Sequence, residues 1–222
     1  GNTYAIIRTA ILSDTQRASM IEALQNKAGA FDLKNLQEDS VGPAIGEELR
    51  RGAIYSLSLA AVLILLYISI RFRFIYACSA VIALIHDVVI ILGLFSLFQW
   101  QVDAPFIAAI LTVFGYSIND TVVIYDRIRE NERRMKKRDS FEDMVDKSVW
   151  QTMGRSIKTS VTVFIALLCI YILGGESTKV FALAMMIGVI AGTYSSIFVA
   201  SQLIVEIKRW FSGDKRKKAV EA

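Results

Sequence analysis

The chain has 222 residues, of which 54% are hydrophobic, and a formal net charge of +4. Its charges stand in a few blocks between apolar runs, each about long enough to cross 30 Å of hydrocarbon. Because the basic residues flank these runs, as membrane topology requires, the composition favours a membrane protein over a nucleic-acid-binding one. The two cysteines both fall in apolar runs and do not suggest a disulfide framework.

The first 42 residues have the mixed polarity of a segment outside the membrane. Residues 4–10 have the pattern of a strand, Ser13 offers the N-cap of a helix that continues to Gly29, and residues 31–36 suggest a second strand. We predict a β-α-β unit that is too small to hold a core alone. We expect the remainder of this domain to precede Gly1.

Five apolar segments follow, each of a length typical of a transmembrane helix. They run over residues 52–70, 74–100, 105–125, 156–173 and 180–205. We therefore predict an all-α transmembrane bundle over residues 43–210, with a loop at about 126–155 and a basic tail at 211–222. Within that loop, residues 141–153 have the pattern of an amphipathic helix, which we expect to lie along the membrane surface.

The basic residues predict the orientation of the bundle. The turn at 99–104 has no Lys or Arg, whereas the loop at 126–155 and the tail are strongly basic, so we expect the loop and the C-terminus in the cytoplasm. The N-terminal segment then lies outside. An external N-terminal segment before an odd number of crossings implies a further span upstream.

Asp120 lies inside the third apolar segment. An ionisable side chain within a span is costly and marks a functional site by default. Tyr116 and Asn119 lie on or near the same helical face, so we expect a polar stripe that points into the bundle. A carboxyl group there could gain and lose a proton, as a proton relay requires. The alternative is a capped or paired aspartate near the membrane interface.

His86 and Asp87 lie in the middle of the second segment, at a depth that differs from that of Asp120 by roughly one helical turn. The two aspartates could share a site, or Asp87 could bond a neighbouring helix as a structural clamp. Arg155, at the start of the fourth segment, is either an anchoring charge or the partner of Asp120 in a switchable ion pair.

The fifth segment carries small residues every four positions, and such a row lets another helix approach closely. The row consists of Ala184, Gly188, Gly192 and Ser196. It fits tight packing within this bundle and a subunit interface equally well. Outside the membrane we find no metal-ligand spacing, phosphate-binding loop or Ser/His/Asp arrangement. We therefore expect neither an enzyme nor a cofactor.

Residues 111–131, with the sequence LTVFGYSINDTVVIYDRIREN, resemble the signature of SecF, a family of subunits of the bacterial Sec protein translocase. SecF belongs with SecD to the resistance-nodulation-division superfamily. Further stretches that resemble the family lie at 41–43, 67–72, 86–87, 151–160 and 192–196. The resemblance covers nearly the whole chain from Val41 on.

The resemblance implies a protein of six spans, with an external ferredoxin-like α+β domain of which residues 1–42 would be the second half. It implies SecD as a partner, separate or fused upstream, together with the SecYEG translocon and unfolded preproteins. It also implies a multi-pass protein of the bacterial cytoplasmic membrane that assists export with the proton motive force. Asp120 and Arg155 match the proton-conducting residues of the family, whereas the resemblance assigns no proton role to His86 or Asp87.

Two other functions stay open on the sequence. One is a proton-driven exporter of small molecules or lipids, which would share the same superfamily architecture. The other is a scaffold that stabilises the translocon without transporting anything.

Overall fold

The structure is a computed structural model that describes residues 7, 9, 12–28, 43–136 and 139–220. The helices are α1 (Asp14–Ala28), α2 (Pro43–Arg71), α3 (Phe74–Leu97), α4 (Ala104–Arg134), α5 (Phe141–Leu173), α6 (Glu176–Tyr194) and α7 (Ser201–Val220), with a π-helical turn (Ser195–Ala200) between the last two. The chain divides into two compact units, residues 1–51 and 52–222.

In the first unit, α1 confirms the predicted helix. Its start is a capping box, because the Gln16 N–H donates to Ser13 Oγ at 3.4 Å and the Ser13 N–H donates to Gln16 Oε1 at 3.0 Å. The strands predicted at 4–10 and 31–36 lie outside the described residues apart from residues 7 and 9, so the α+β domain stays a prediction.

Five helices in the described part of the chain are long and apolar enough to cross a membrane, which confirms the predicted number. The first four are α2 from Gly46 on, α3, α4 and α5, and the fifth joins α6, the π-helical turn and α7 into one continuous span. The turn between α3 and α4 places Gln99 at a φ of 53°. The start of α4 is fixed by Asp103, whose side chain accepts the Phe106 N–H at 3.0 Å.

Helix α4 and the fifth span form the centre of the second unit, because small residues let their backbones approach closely. A Cβ atom added at Gly188 would clash with the Val113 side chain of α4, and one added at Gly192 would come within 3.0 Å of Ser117 Cβ. The row of small residues therefore packs against α4 within this bundle. Helix α2 lies at the periphery, with a long exposed apolar face.

The amphipathic helix predicted over residues 141–153 is confirmed, but its placement along the membrane surface was wrong. Helix α4 continues to Arg134 and α5 begins at Phe141, so the predicted loop of about 30 residues is mostly helical and residues 141–153 are the first turns of α5. Their apolar face is buried within the bundle at Met144, Val145 and Val149. Packing against protein thus replaces the lipid contact that the amphipathic pattern suggested.

Candidate functional site

The carboxyl group of Asp120 is buried in the second half of α4. The residue is 5% exposed, and its Oδ2 has no hydrogen-bond partner among the described residues. Ser156, on α5, lies near this carboxyl, and its buried Oγ likewise has no hydrogen-bond partner among the described residues. A buried polar group without a partner is unfavourable by about 1–3 kcal/mol. In this environment, protonation of the carboxyl or a small movement of Ser156 would allow a hydrogen bond between the two groups.

Arg155 is adjacent to Ser156 on α5, so its charge lies near the Asp120 carboxyl. Its side chain is exposed, and it forms no ion pair with a described carboxylate within 4.0 Å. The structure thus brings the two predicted residues to the same contact between helices without joining them directly. The switchable ion pair stays a prediction.

One turn away, Tyr116 extends the contact between α4 and α5. Its hydroxyl donates to Ser160 Oγ at 2.8 Å, and Ser160 Oγ shares a hydrogen bond of 2.5 Å with Thr193 Oγ1 of α6. Tyr116 and Asp120 are four residues apart on α4, and Ser160 and Ser156 are four apart on the antiparallel α5. The pairs Tyr116–Ser160 and Asp120–Ser156 therefore form two steps of one ladder.

Asn119 departs from the predicted polar stripe, because it is exposed while its neighbours Ile118 and Asp120 are buried. Successive residues on an α-helix are about 100° apart, so Asn119 points away from the contact between α4 and α5 that Asp120 faces. The structure accordingly brings Tyr116 and Asp120 to the interior and leaves Asn119 on the surface of the described bundle.

Asp87 holds three elements together. The residue is fully buried, and its Oδ2 accepts from Ser117 Oγ of α4 at 2.8 Å and from Ser195 Oγ of the π-helical turn at 2.9 Å. Its Oδ1 lies 3.2 Å from Nδ1 of the adjacent His86, whose ring stacks on Tyr194. The contacts are those of the structural clamp that the sequence left open. They do not include Asp120.

A second set of hydroxyl contacts lies beside this clamp. Ser196 Oγ donates to the Ser117 carbonyl oxygen at 3.2 Å and shares a hydrogen bond of 2.8 Å with Thr121 Oγ1. The π-helical turn thus presents two successive serines to α3 and α4. Such turns are often found at functional sites within α-helices. In this bundle the turn connects the Asp87 clamp to the residue that follows Asp120.

Sequence reasoning missed the roles of Ser117, Thr121, Thr193 and Ser195. Each is a small hydroxyl residue in an apolar run, and such residues also occur in spans as simple helix-packing positions. The one available signal was their placement beside Asp120 and Gly192. In the described part of the chain, no group of three or more His, Cys, Asp and Glu could hold a metal ion.

Comparison with known sequences gives one matching family, described as protein export membrane protein SecD/SecF, C-terminal, over residues 20–210. The protein translocase subunit SecF of Sebaldella termitidis is 43% identical over 98% of this chain and 70% of its own length. The protein translocase subunit SecDF of Thermus thermophilus is 39% identical over 98% of this chain, which corresponds to 28% of that protein.

Comparison with solved structures gives the same family. The crystal structure of SecDF from Thermus thermophilus, a translocon-associated membrane protein, matches with a TM-score of 0.75 and 40% sequence identity. The match covers 89% of this chain and 27% of that chain. The chain therefore corresponds to about a quarter of the solved SecDF protein, and to 70% of the length of SecF from Sebaldella termitidis.

Proposed function

The chain belongs to the SecD/SecF family of protein export membrane proteins, and we propose that it is a subunit of the Sec protein-export machinery that uses the proton motive force to help secreted proteins cross the cytoplasmic membrane. Relatives named as protein translocase subunits support the export role. The observation that carries the proton coupling is the buried Asp120 carboxyl, one oxygen of which has no partner among the described residues.

In the proposed mechanism, the ionised Asp120 attracts Arg155, and a small movement of α5 lets it accept a hydrogen bond from Ser156. A proton taken up by the carboxyl removes that attraction and lets α5 shift against α4. Because Tyr116, Ser160 and Thr193 form a continuous hydrogen-bonded chain, the shift reaches α6. Each elementary charge that crosses the membrane provides about 2.3 kcal/mol per 100 mV, so several protons in turn are enough to bias a two-state bundle.

The proposal includes partners and an orientation. A relative that is named SecDF supports SecD as a partner of this chain. The basic residues near 135–140 and after Trp210 support a cytoplasmic location for that end of the bundle, together with the C-terminus. The SecYEG translocon and an unfolded preprotein complete the proposed assembly. The external domain would act on the preprotein as it emerges.

The test is Asp120→Asn, which keeps the size of the side chain and removes its proton exchange. We expect completion of preprotein export in membrane vesicles to lose its dependence on the proton gradient, while expression and copurification with SecD stay normal. The matched control is Asp146→Asn, which removes an exposed carboxylate near the basic end of the bundle. We expect that control to export normally.

Other results would favour the alternative functions. Unchanged proton-dependent export by the Asp120→Asn protein would contradict the coupling and favour a scaffold. Normal export with a loss of proton-driven efflux of an apolar compound would favour an exporter of small molecules or lipids.

A further inference from the structure

A basic cavity opens where α2, α3 and α4 meet near the end of α4. Its volume is about 430 Å³, and its polar lining consists of Arg71, Arg73, Tyr76, Arg129, Glu132 and Arg133. Four guanidinium groups thus surround one cavity that contains a single carboxylate. We infer that this cavity, whose arginines the proton pathway does not use, binds the phosphate headgroup of an anionic membrane phospholipid.

The charges of the cavity are only partly neutralised by the protein. Arg71 pairs with Asp126 at 3.1 Å, and Glu132 is shared between Lys208 at 2.9 Å and Arg73 at 3.7 Å. Neither Arg129 nor Arg133 forms an ion pair with a carboxylate among the described residues. Arginine suits a phosphate because its planar fork of N–H donors matches the oxygen atoms of the phosphate.

The backbone and an aromatic ring fix two of these arginines in place. Arg129 Nη1 donates to the Arg71 carbonyl oxygen at 3.1 Å, so it bridges α4 and the end of α2. The guanidinium groups of Arg71 and Arg129 also lie 5.0 and 5.9 Å from the centre of the buried Phe72 ring. Two cationic groups are therefore held together beside the cavity before any anion binds.

The position of the cavity favours a lipid over a free anion. It begins where the apolar segment of α2 ends, and its lining includes Ile70, which is 87% exposed. Exposed Leu63, Leu66 and Tyr67 continue from Ile70 along one face of α2. A headgroup in the cavity would thus leave its acyl chains against an apolar stripe. Basic pockets between transmembrane helices bind lipid headgroups in this way.

The test titrates the purified full chain with phosphatidylglycerol and counts bound lipid by native mass spectrometry. The key variant is Arg133→Gln, which removes a side chain for which the described residues show no intramolecular ion pair. We expect it to weaken phosphatidylglycerol binding about fivefold and to leave the binding of zwitterionic phosphatidylethanolamine unchanged. Arg129→Gln should weaken it at least as much, but that change also removes the bond to Arg71.

The matched control is Arg134→Gln, which removes the same charge from the same turn of α4, outside the cavity, where Arg134 pairs with Glu130 at 2.9 Å. We expect it to bind phosphatidylglycerol within twofold of the unchanged chain. Equal weakening by Arg133→Gln and Arg134→Gln would overturn the inference, because it would indicate a diffuse surface charge.

Inorganic phosphate and glycerol 3-phosphate separate the two sources of the anion. If millimolar amounts of either displace the lipid completely, the cavity binds a free phosphate group and the lipid assignment is wrong. If Arg133→Gln leaves lipid binding intact but releases SecD during purification, the cavity is a protein contact, which also overturns the assignment. Because none of these measurements depends on export, their outcome is independent of the proposed function.

Discussion

At the scale of single residues, the bundle holds two buried carboxyl groups that differ in their hydrogen bonding. Three side chains contact Asp87, whereas Oδ2 of Asp120 has no hydrogen-bond partner among the described residues. A carboxylate that already accepts well-placed bonds gains little from a proton or from movement. The difference supports the proposal that Asp87 is structural and that Asp120 is the group that gains and loses a proton.

We predict that Asp87→Ala destabilises the bundle by about 1–3 kcal/mol, because the hydroxyls of Ser117 and Ser195 lose their acceptor in a buried place. Asp87→Asn should have a smaller effect, since its amide oxygen can still accept one of these bonds. The measurement is the midpoint of thermal unfolding in detergent for both variants. A midpoint for Asp87→Ala equal to that of the unchanged chain would contradict the clamp.

The sequence predicted the buried position of Asp120 because a charge inside an apolar run is visible without a structure. It did not predict that Asn119 faces outward, since that depends on the rotation of α4 against its neighbours. The sequence also could not predict the hydrogen-bond partners of Asp87. They come from α4 and from a π-helical turn, and no periodicity in the sequence marks the register between those elements or the extra residue in that turn.

At the scale of helices, the glycines of the fifth span determine how closely α6 approaches α4. We predict that Gly188→Ala destabilises the bundle by about 1–3 kcal/mol, because the added methyl group would overlap the Val113 side chain. Gly115→Ala is the matched control on α4, since nothing lies within 4 Å of a Cβ atom there. It should be neutral or stabilising, as alanine is the better helix former.

Thermal unfolding in detergent again separates the two glycine variants. Equal unfolding midpoints for Gly188→Ala and Gly115→Ala would mean that α4 and α6 are not in close contact in the purified protein. The sequence showed the row of small residues but not the helix that it faces, because close packing and subunit interfaces use the same pattern. Only the contact with Val113 and Ser117 assigns the row to this bundle.

Glu132 connects three elements near the basic end of α4. It accepts from Lys208 of α7 at 2.9 Å and from Tyr76 of α3 at 3.4 Å, and it lies 3.7 Å from Arg73. We predict that Glu132→Gln lowers the unfolding free energy by about 1 kcal/mol at low salt, and that 1 M salt reduces the difference because it screens partly exposed charges.

The control for this variant is Glu206→Gln, which removes a carboxylate that is 64% exposed and pairs with Arg209 on its own helix. It should change stability by less than about 0.5 kcal/mol at either salt concentration. If the effect of Glu132→Gln were independent of salt, the loss would come from the bond to Tyr76 and not from the ion pairs.

At the scale of the whole molecule, the helices are longer than a membrane requires. Helix α4 has 31 residues and α5 has 33, or about 46 and 50 Å at 1.5 Å per residue, against about 30 Å of hydrocarbon. Their polar ends therefore extend into water as helices. The sequence predicted a loop here because the apolar period stops, but ion pairs and packing among α4, α5 and α7 maintain the helices beyond that point.

The extended ends allow a test of the proposed orientation by cysteine labelling. In a chain with Cys78 and Cys169 replaced by Ala, we predict that Gln101→Cys reacts with a membrane-impermeant maleimide added to spheroplasts. Asp139→Cys should react only after the membrane is permeabilised. Both sites are exposed and lie in the two opposite turns, before α4 and after it. The physical reason is that basic segments stay on the cytoplasmic side.

Equal expression of the two cysteine proteins, and equal labelling after permeabilisation, would control for local reactivity. The reverse pattern would place the basic ends of α4 and α5 outside, and with them the arginine-lined cavity at the end of α2. That orientation would contradict the proposed cytoplasmic location of the C-terminus and of the basic ends of α4 and α5. The labelling therefore tests the proposed topology of the whole chain.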